Sequence, residues 1–131
     1  MRVTPGPVGP RPGASCGAAS LPATDAGCEE VATRFRALSE PTRLKILRRL
    51  ARGGASVGEV VADVGGTQAN VSKHLAVLLS SDIVGRKRQG GRTLYAIADP
   101  ALLSICSIVC EGIERAARAR ASEILGTAPH P

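Results

Sequence analysis

The sequence predicts a mainly α-helical domain that carries one β-hairpin: four helices, the hairpin, then a fifth helix. Three observations predict it. Apolar residues recur every three or four positions between about Val31 and Leu78. Two β-rich segments then flank Gly90-Gly91. A long apolar stripe of helical period returns from Leu103 to Ala117. Helical and extended periods mark the two kinds of element.

The first helix is expected over Asp25 to Leu38, with Val31, Phe35 and Leu38 on one face. Pro41 suits the first turn of a second helix, Thr42 to Ala51, on which Leu44, Leu47 and Leu50 form a stripe. Gly53 and Gly54 end it. Ser56 and Glu59 form a capping box for a third helix through about Val64. Gly65-Gly66 makes a tight turn, and Thr67 caps a fourth helix that points Val71, Leu75 and Leu78 inward. Strands Val84 to Gln89 and Arg92 to Ala98 are joined by Gly90-Gly91, whose tolerance of positive φ suits a hairpin. Asp99 as cap and Pro100 at the first position open the last helix, which runs to about Leu125. Two short helices about a glycine turn, followed by a hairpin, are a helix-turn-helix with a wing.

Around this folded unit, 25–125, composition shifts. Residues 1–24 hold five prolines among glycines and alanines and read as a disordered arm; 126–131 read as a flexible tail. The 131 residues include 17 Lys+Arg against 11 Asp+Glu, a net charge of +6 that favours an anionic partner. One Phe, one Tyr and no Trp leave the core to aliphatic side chains. No apolar run reaches a membrane span, and the start lacks the apolar stretch of a secretory leader. The expected location is therefore the cytoplasm, with no membrane partner. Four cysteines in a reducing compartment are expected as thiols rather than a disulfide framework. With two histidines and so short a chain, no Ser/His/Asp set, phosphate loop or acid pair can be assembled, so an enzyme is not expected.

The expected partner is double-stranded DNA. The fourth helix carries Gln68, Asn70, Ser72, Lys73 and His74 away from its apolar stripe. A helix of this width enters the major groove, where each base pair shows its own donor and acceptor pattern. Gln68 and Asn70 can pair with adenine, Lys73 can meet guanine or phosphate, and Ser72 and Thr67 can meet base edges or backbone. The hairpin adds Arg86, Lys87, Arg88 and Arg92 beside a glycine tip; Arg side chains favour narrow minor grooves. Thr42 and Arg43 open the second helix, where free N–H groups attract phosphate. A polar helix face or a charged hairpin edge also serves solubility alone; their conjunction points to DNA. A winged helix used only for protein contact is the competing class.

One such module reads few base pairs, so a homodimer on an imperfect inverted repeat is expected. Leu103, Cys106, Cys110, Ile113 and Ala117 on the last helix, with Val31 and Phe35 on the first, supply its interface.

Leu38-Ser39-Glu40-Pro41-Thr42-Arg43-Leu44-Lys45-Ile46-Leu47 resembles the second-helix motif of the ArsR/SmtB family. Thr67 to Leu78 resembles its recognition helix, and Arg88 to Tyr95 its wing. The resemblance spans about Val31 to Ile113. It implies a dimeric winged-helix repressor, in many members released from DNA by metal ions or arsenite, in others by oxidants or sulfur species.

Cys106 and Cys110 stand four residues apart, which puts their Cβ atoms about 5–6 Å apart on one helix face. Two thiolates so placed suit soft ions such as Cd²⁺ and Zn²⁺, or arsenite. Cys28 or Cys16 can supply a third, and arsenite suits three sulfurs. The pair lies on the apolar stripe, where Cys also packs well as a small core residue. Two family sites are missing: the third helix, Val57 to Val64, has no Cys, and with only His74 and His130 no Asp/His/His/Glu zinc set can form. A thiol redox or reactive-sulfur switch on the same cysteines, or a winged-helix repressor with no small effector, is the alternative to metal sensing.

Overall fold

The computed structural model describes residues 21–126 and contains α1 (Asp25–Leu38), α2 (Pro41–Leu50), α3 (Val57–Val64), α4 (Gln68–Ser80), β1 (Val84–Gln89), β2 (Arg92–Ile97) and α5 (Ala101–Leu125). The arm and tail expected from the sequence lie almost wholly outside the described residues, as does Cys16. Among the described residues no helix is long and apolar enough to cross a membrane.

The chain divides into two compact units, at Asp99 and Pro100. In the first, α1 packs on α2, and α2 packs against α3, α4 and β2. Ile46, Val60, Val71, Leu75 and Leu78 are fully covered, with Leu47, Leu50, Ile83 and Val84 almost so. This is the aliphatic core that the composition requires. Burying each such side chain stabilises by roughly 1.5–3 kcal/mol relative to leaving it in water.

Local chemistry sets the boundaries. Thr24 accepts from the Gly27 N–H at 3.0 Å to start α1. The Glu40 carboxylate accepts from the Arg43 N–H at 3.0 Å to start α2, with Pro41 as first residue. Ser56 and Glu59 form the expected reciprocal box. The Thr67 hydroxyl accepts from the Asn70 N–H at 3.1 Å. Gly65 and Gly66 both have positive φ, as the tight turn between α3 and α4 requires.

The exit from α4 is a Schellman turn. The Ile83 N–H donates to the Leu78 carbonyl at 3.1 Å and the Asp82 N–H to the Leu79 carbonyl at 3.1 Å. Asp82 takes the left-handed position, φ +57°. Buried Leu78 and Ile83 flank it. The wing is antiparallel, with Arg86 opposite Tyr95, Arg88 opposite Thr93, and Gln89 opposite Arg92. Ala55 and Tyr95 exchange two backbone hydrogen bonds, 2.9 and 2.8 Å, which stitch β2 to the segment entering α3.

Three expectations need correction. Leu44 does not join the inward stripe of α2: it is 42 % exposed, and Ile46 is buried instead. At about 100° per residue, Ile46, Leu50 and Leu47 share one arc and Leu44 falls beyond its edge. β2 ends at Ile97, not Ala98, whose N–H leaves the wing and donates to Ile83 at 2.9 Å. α5 begins at Ala101, with Pro100 in the N-cap position and making no side-chain cap bond; Asp99 lies one residue further out. The fixed φ of Pro100, −61°, pre-sets the helical turn.

In the second unit, α5 ends on Gly126 in the left-handed conformation. Ile108, Val109, Ile113 and Ile124 are exposed along it. No isolated soluble helix favours four large aliphatics in water.

Candidate nucleic-acid interface

On α4, Gln68, Asn70, Ser72 and Lys73 are exposed, while Val71, Leu75 and Leu78 are fully buried. The helix is thus split into a covered stripe and an open polar side. Ala69 and Ala76 are also exposed beside Lys73, and the sequence reading passed over both. Small side chains there let the helix approach a surface closely, and a methyl suits the thymine methyl. Their signal was available: on a helical wheel they lie opposite the buried stripe.

His74 differs from its neighbours. Its Nδ1 lies 3.4 Å from Arg43 Nη1 and 3.7 Å from Glu40 Oε2. Its side chain is only 15 % exposed. A guanidinium can only donate, so in that contact Nδ1 accepts. Arg43 also donates through Nε to the Ala37 carbonyl at 2.6 Å and through Nη2 to the Arg36 carbonyl at 3.1 Å. It therefore closes the open C-terminal end of α1 and braces α4 at once. The Glu40 carboxyl lies below its ordinary value of 4.5. Desolvation opposes this, but the backbone N–H groups of Arg43 and Thr42 and the charge of Arg43 prevail. Thr42 is half-buried beside them.

The wing separates its basic side chains. Residues directly opposite in an antiparallel pair share a face. Arg86 and Arg88 stand on the face of Tyr95 and Thr93; Lys87 stands with Leu94 and Arg92 with Gln89 on the other. The Arg92 guanidinium is held by the Glu59 carboxylate. Arg49 approaches the same carboxylate at 3.7 Å. Glu59 lies below the ordinary carboxyl value, held there first by the Ser56 hydroxyl and N–H and then by Arg92. Glu40 and Glu59 are organising residues; from the sequence, Glu40 figures only within the second-helix motif and Glu59 only as a cap. The spacing of Glu59 from Ser56 announces a cap and nothing of a partner on β2.

Cys28 and Cys110 are exposed and Cys106 is half-buried; all three are free thiols. Among the described residues, no three His, Cys, Asp or Glu side chains gather to hold a metal ion. Val31 and Leu103 are half-buried, Phe35, Ile113 and Ala117 exposed.

A two-helix unit with an open polar second helix, followed by a basic hairpin, defines a winged helix-turn-helix regulator of the DNA-binding class. The helix-turn-helix domain family matches residues 38–85. The probable mercury resistance operon repressor of Streptomyces lividans is 34 % identical over 104 residues, covering 76 % of this chain and 83 % of that one. Among solved structures, the antimony-specific repressor AntR superposes with a TM-score of 0.63 at 35 % identity, over 72 % of this chain and 86 % of AntR. The homodimeric winged helix-turn-helix domain Mb0332 from Mycobacterium bovis, described as a possible ArsR-family regulator, gives 0.63 at 26 %, over 82 % and 96 %.

The chain belongs to the ArsR/SmtB family of winged-helix regulators. It is a transcriptional repressor with a DNA-binding helix-turn-helix.

Proposed function

We propose that this repressor binds an imperfect inverted repeat as a homodimer and leaves it when a thiophilic ion binds through Cys106 and Cys110. The observation that carries the proposal is this pair of free thiols one helical turn apart on α5, beside exposed Ile108, Val109 and Ile113. An exposed apolar stripe is what a dimer covers, and an ion held on it biases the geometry of the two copies. Cys28 on α1 is the third ligand, supplied across the dimer. Trivalent arsenic or antimony, which takes three sulfurs in a pyramid, fits this donor set better than Cd²⁺ or Zn²⁺. The relatives named for mercury resistance and for antimony support a soft ion. Release requires that the ion bind the DNA-free geometry more tightly.

On DNA, Gln68, Asn70, Ser72 and Lys73 meet the major groove, with Ala69 against a methyl. Thr42, Thr67, Arg86 and Arg88 follow the backbone. Arg43 and His74 hold α4 at its angle. The protein acts in the cytoplasm, where its thiols stay reduced.

The test is a DNA-release assay on reduced protein with arsenite, antimonite, Cd²⁺ and Zn²⁺. Release by a trivalent oxyanion that is lost in Cys106→Ser and in Cys110→Ser supports the proposal. Release that survives both substitutions overturns it. Release by peroxide or persulfide alone, with cysteine modification in the mass spectrum, transfers the same residues to redox sensing.

A further inference from the structure

Glu59 does more than cap α3. Its Oε1 accepts from the Ser56 N–H at 3.4 Å and the Ser56 hydroxyl at 3.0 Å, and from Arg92 Nη2. Its Oε2 faces Arg49 Nη2 at 3.7 Å. The cap needs an acceptor at this position, and a neutral Gln serves as well as Glu. The charge adds only a modest interaction with the N-terminal end of α3, so a neutral Gln keeps the cap and removes the hold on Arg92. Arg92 is the first residue after the glycine tip of the wing, and its side chain is 59 % exposed. Left free, it would sweep the rim of a surface that receives a polyanion. The pair is exposed on both sides, so it is weak enough for a phosphate to replace the carboxylate. Arg49, only 16 % exposed, stays beside Glu59 when Arg92 departs, so the exchange leaves no unpaired carboxylate.

We propose that Glu59 sets the DNA affinity of this repressor by withholding Arg92. In the free protein the carboxylate seats the guanidinium; on DNA, Arg92 passes to a phosphate. Affinity therefore stays below what the basic residues of the wing would deliver unrestrained. Sequence-independent binding grows with every phosphate neutralised. A withheld arginine limits that part of the binding. The proposal rests on the wing meeting DNA, as set out above.

The experiment measures affinity against salt for the full chain on a duplex of about three helical turns from upstream of its own gene, and on a scrambled duplex. The variants are Glu59→Gln, Arg92→Ala, the double substitution, and Arg88→Ala. Glu59→Gln should bind both duplexes about two- to fivefold more tightly at low salt. Its salt slope should stay that of the parent, because Arg92 neutralises the same phosphate in both complexes. In the Arg92→Ala background the gain should vanish. Misfolding cannot produce a gain in affinity, so this outcome is not open to that explanation. Unchanged or weaker binding by Glu59→Gln, measured well below its melting temperature, overturns the proposal. So does a gain that persists without Arg92. If Arg88→Ala leaves binding unaltered, the placement of the wing on DNA is itself wrong, and the proposal goes with it.

Discussion

Arg43 on α2 and His74 on the recognition helix α4 meet at 3.4 Å, Nη1 to Nδ1. The same guanidinium takes the Arg36 and Ala37 carbonyls at the end of α1. One side chain therefore ties three helices together. A helix C-terminus leaves carbonyls unsatisfied, and a planar fork of donors meets two of them at once.

Arg43→Lys should accordingly be far from conservative. An ammonium cannot span both carbonyls and the imidazole. A loss of about 1–3 kcal/mol is expected, read as a lower urea midpoint with unchanged slope. Midpoints equal to the parent would show that the clamp contributes nothing.

Acid sensitivity follows from Glu40 and Glu59. Both carboxyls sit lower in the folded chain than their ordinary value of 4.5. The folded state then holds these protons less tightly than the unfolded one. Their contribution is complete above the ordinary value and is lost as pH falls through the lower, folded values. The melting temperature should be insensitive to these groups above about pH 5.5 and drop below about pH 4.5. Glu59→Gln should flatten part of that drop; an unaltered acid profile would count against the assignment.

Base reading and backbone contact should separate by mutation. Gln68→Ala should cost about 1–3 kcal/mol of discrimination at one position of each half-site. Arg86→Ala and Arg88→Ala should weaken all sequences alike and make the salt dependence shallower by about one unit. Selection of binding sites from a random duplex pool by each variant distinguishes the two. An identical preferred site for Gln68→Ala would remove that residue from base recognition.

Asp82 holds a left-handed conformation, which Asp tolerates and β-branched residues resist. Asp82→Val should destabilise by about 1–2 kcal/mol. Because the turn leads straight into β1, DNA affinity should fall further than stability alone explains. Equal melting temperatures in a thermal scan would contradict the strain argument.

The elements of the fold were legible because each is written locally. The box at Ser56 and Glu59, the glycines at 65–66 and 90–91, and the stripe Val71, Leu75, Leu78 each state a conformation within a few residues. Leu44 was misplaced because a three-residue stripe defines an arc only loosely, and the burial of Ile46 depends on what surrounds α2. The polar side of α4 was legible for the same local reason. The inward turn of Arg43, the seating of Arg92 on Glu59 and the division of the wing's basic residues between two faces were not. The first two join residues far apart in the chain. The third depends on strand register, which a count of arginines does not contain.

The Schellman turn at Asp82 and the Ala55–Tyr95 bridge fix the hairpin to the helix pair through the entry to β1 and the middle of β2. The module then behaves as a rigid caliper. The distance between the bases touched by α4 and the stretch of backbone touched by the hairpin is set by the protein, not by the DNA. An operator lengthened by one base pair within a half-site would carry the flanking contact out of register by about 34° of helical twist and 3.4 Å of rise. Sequence changes at unread positions should then be tolerated where changes of length are not.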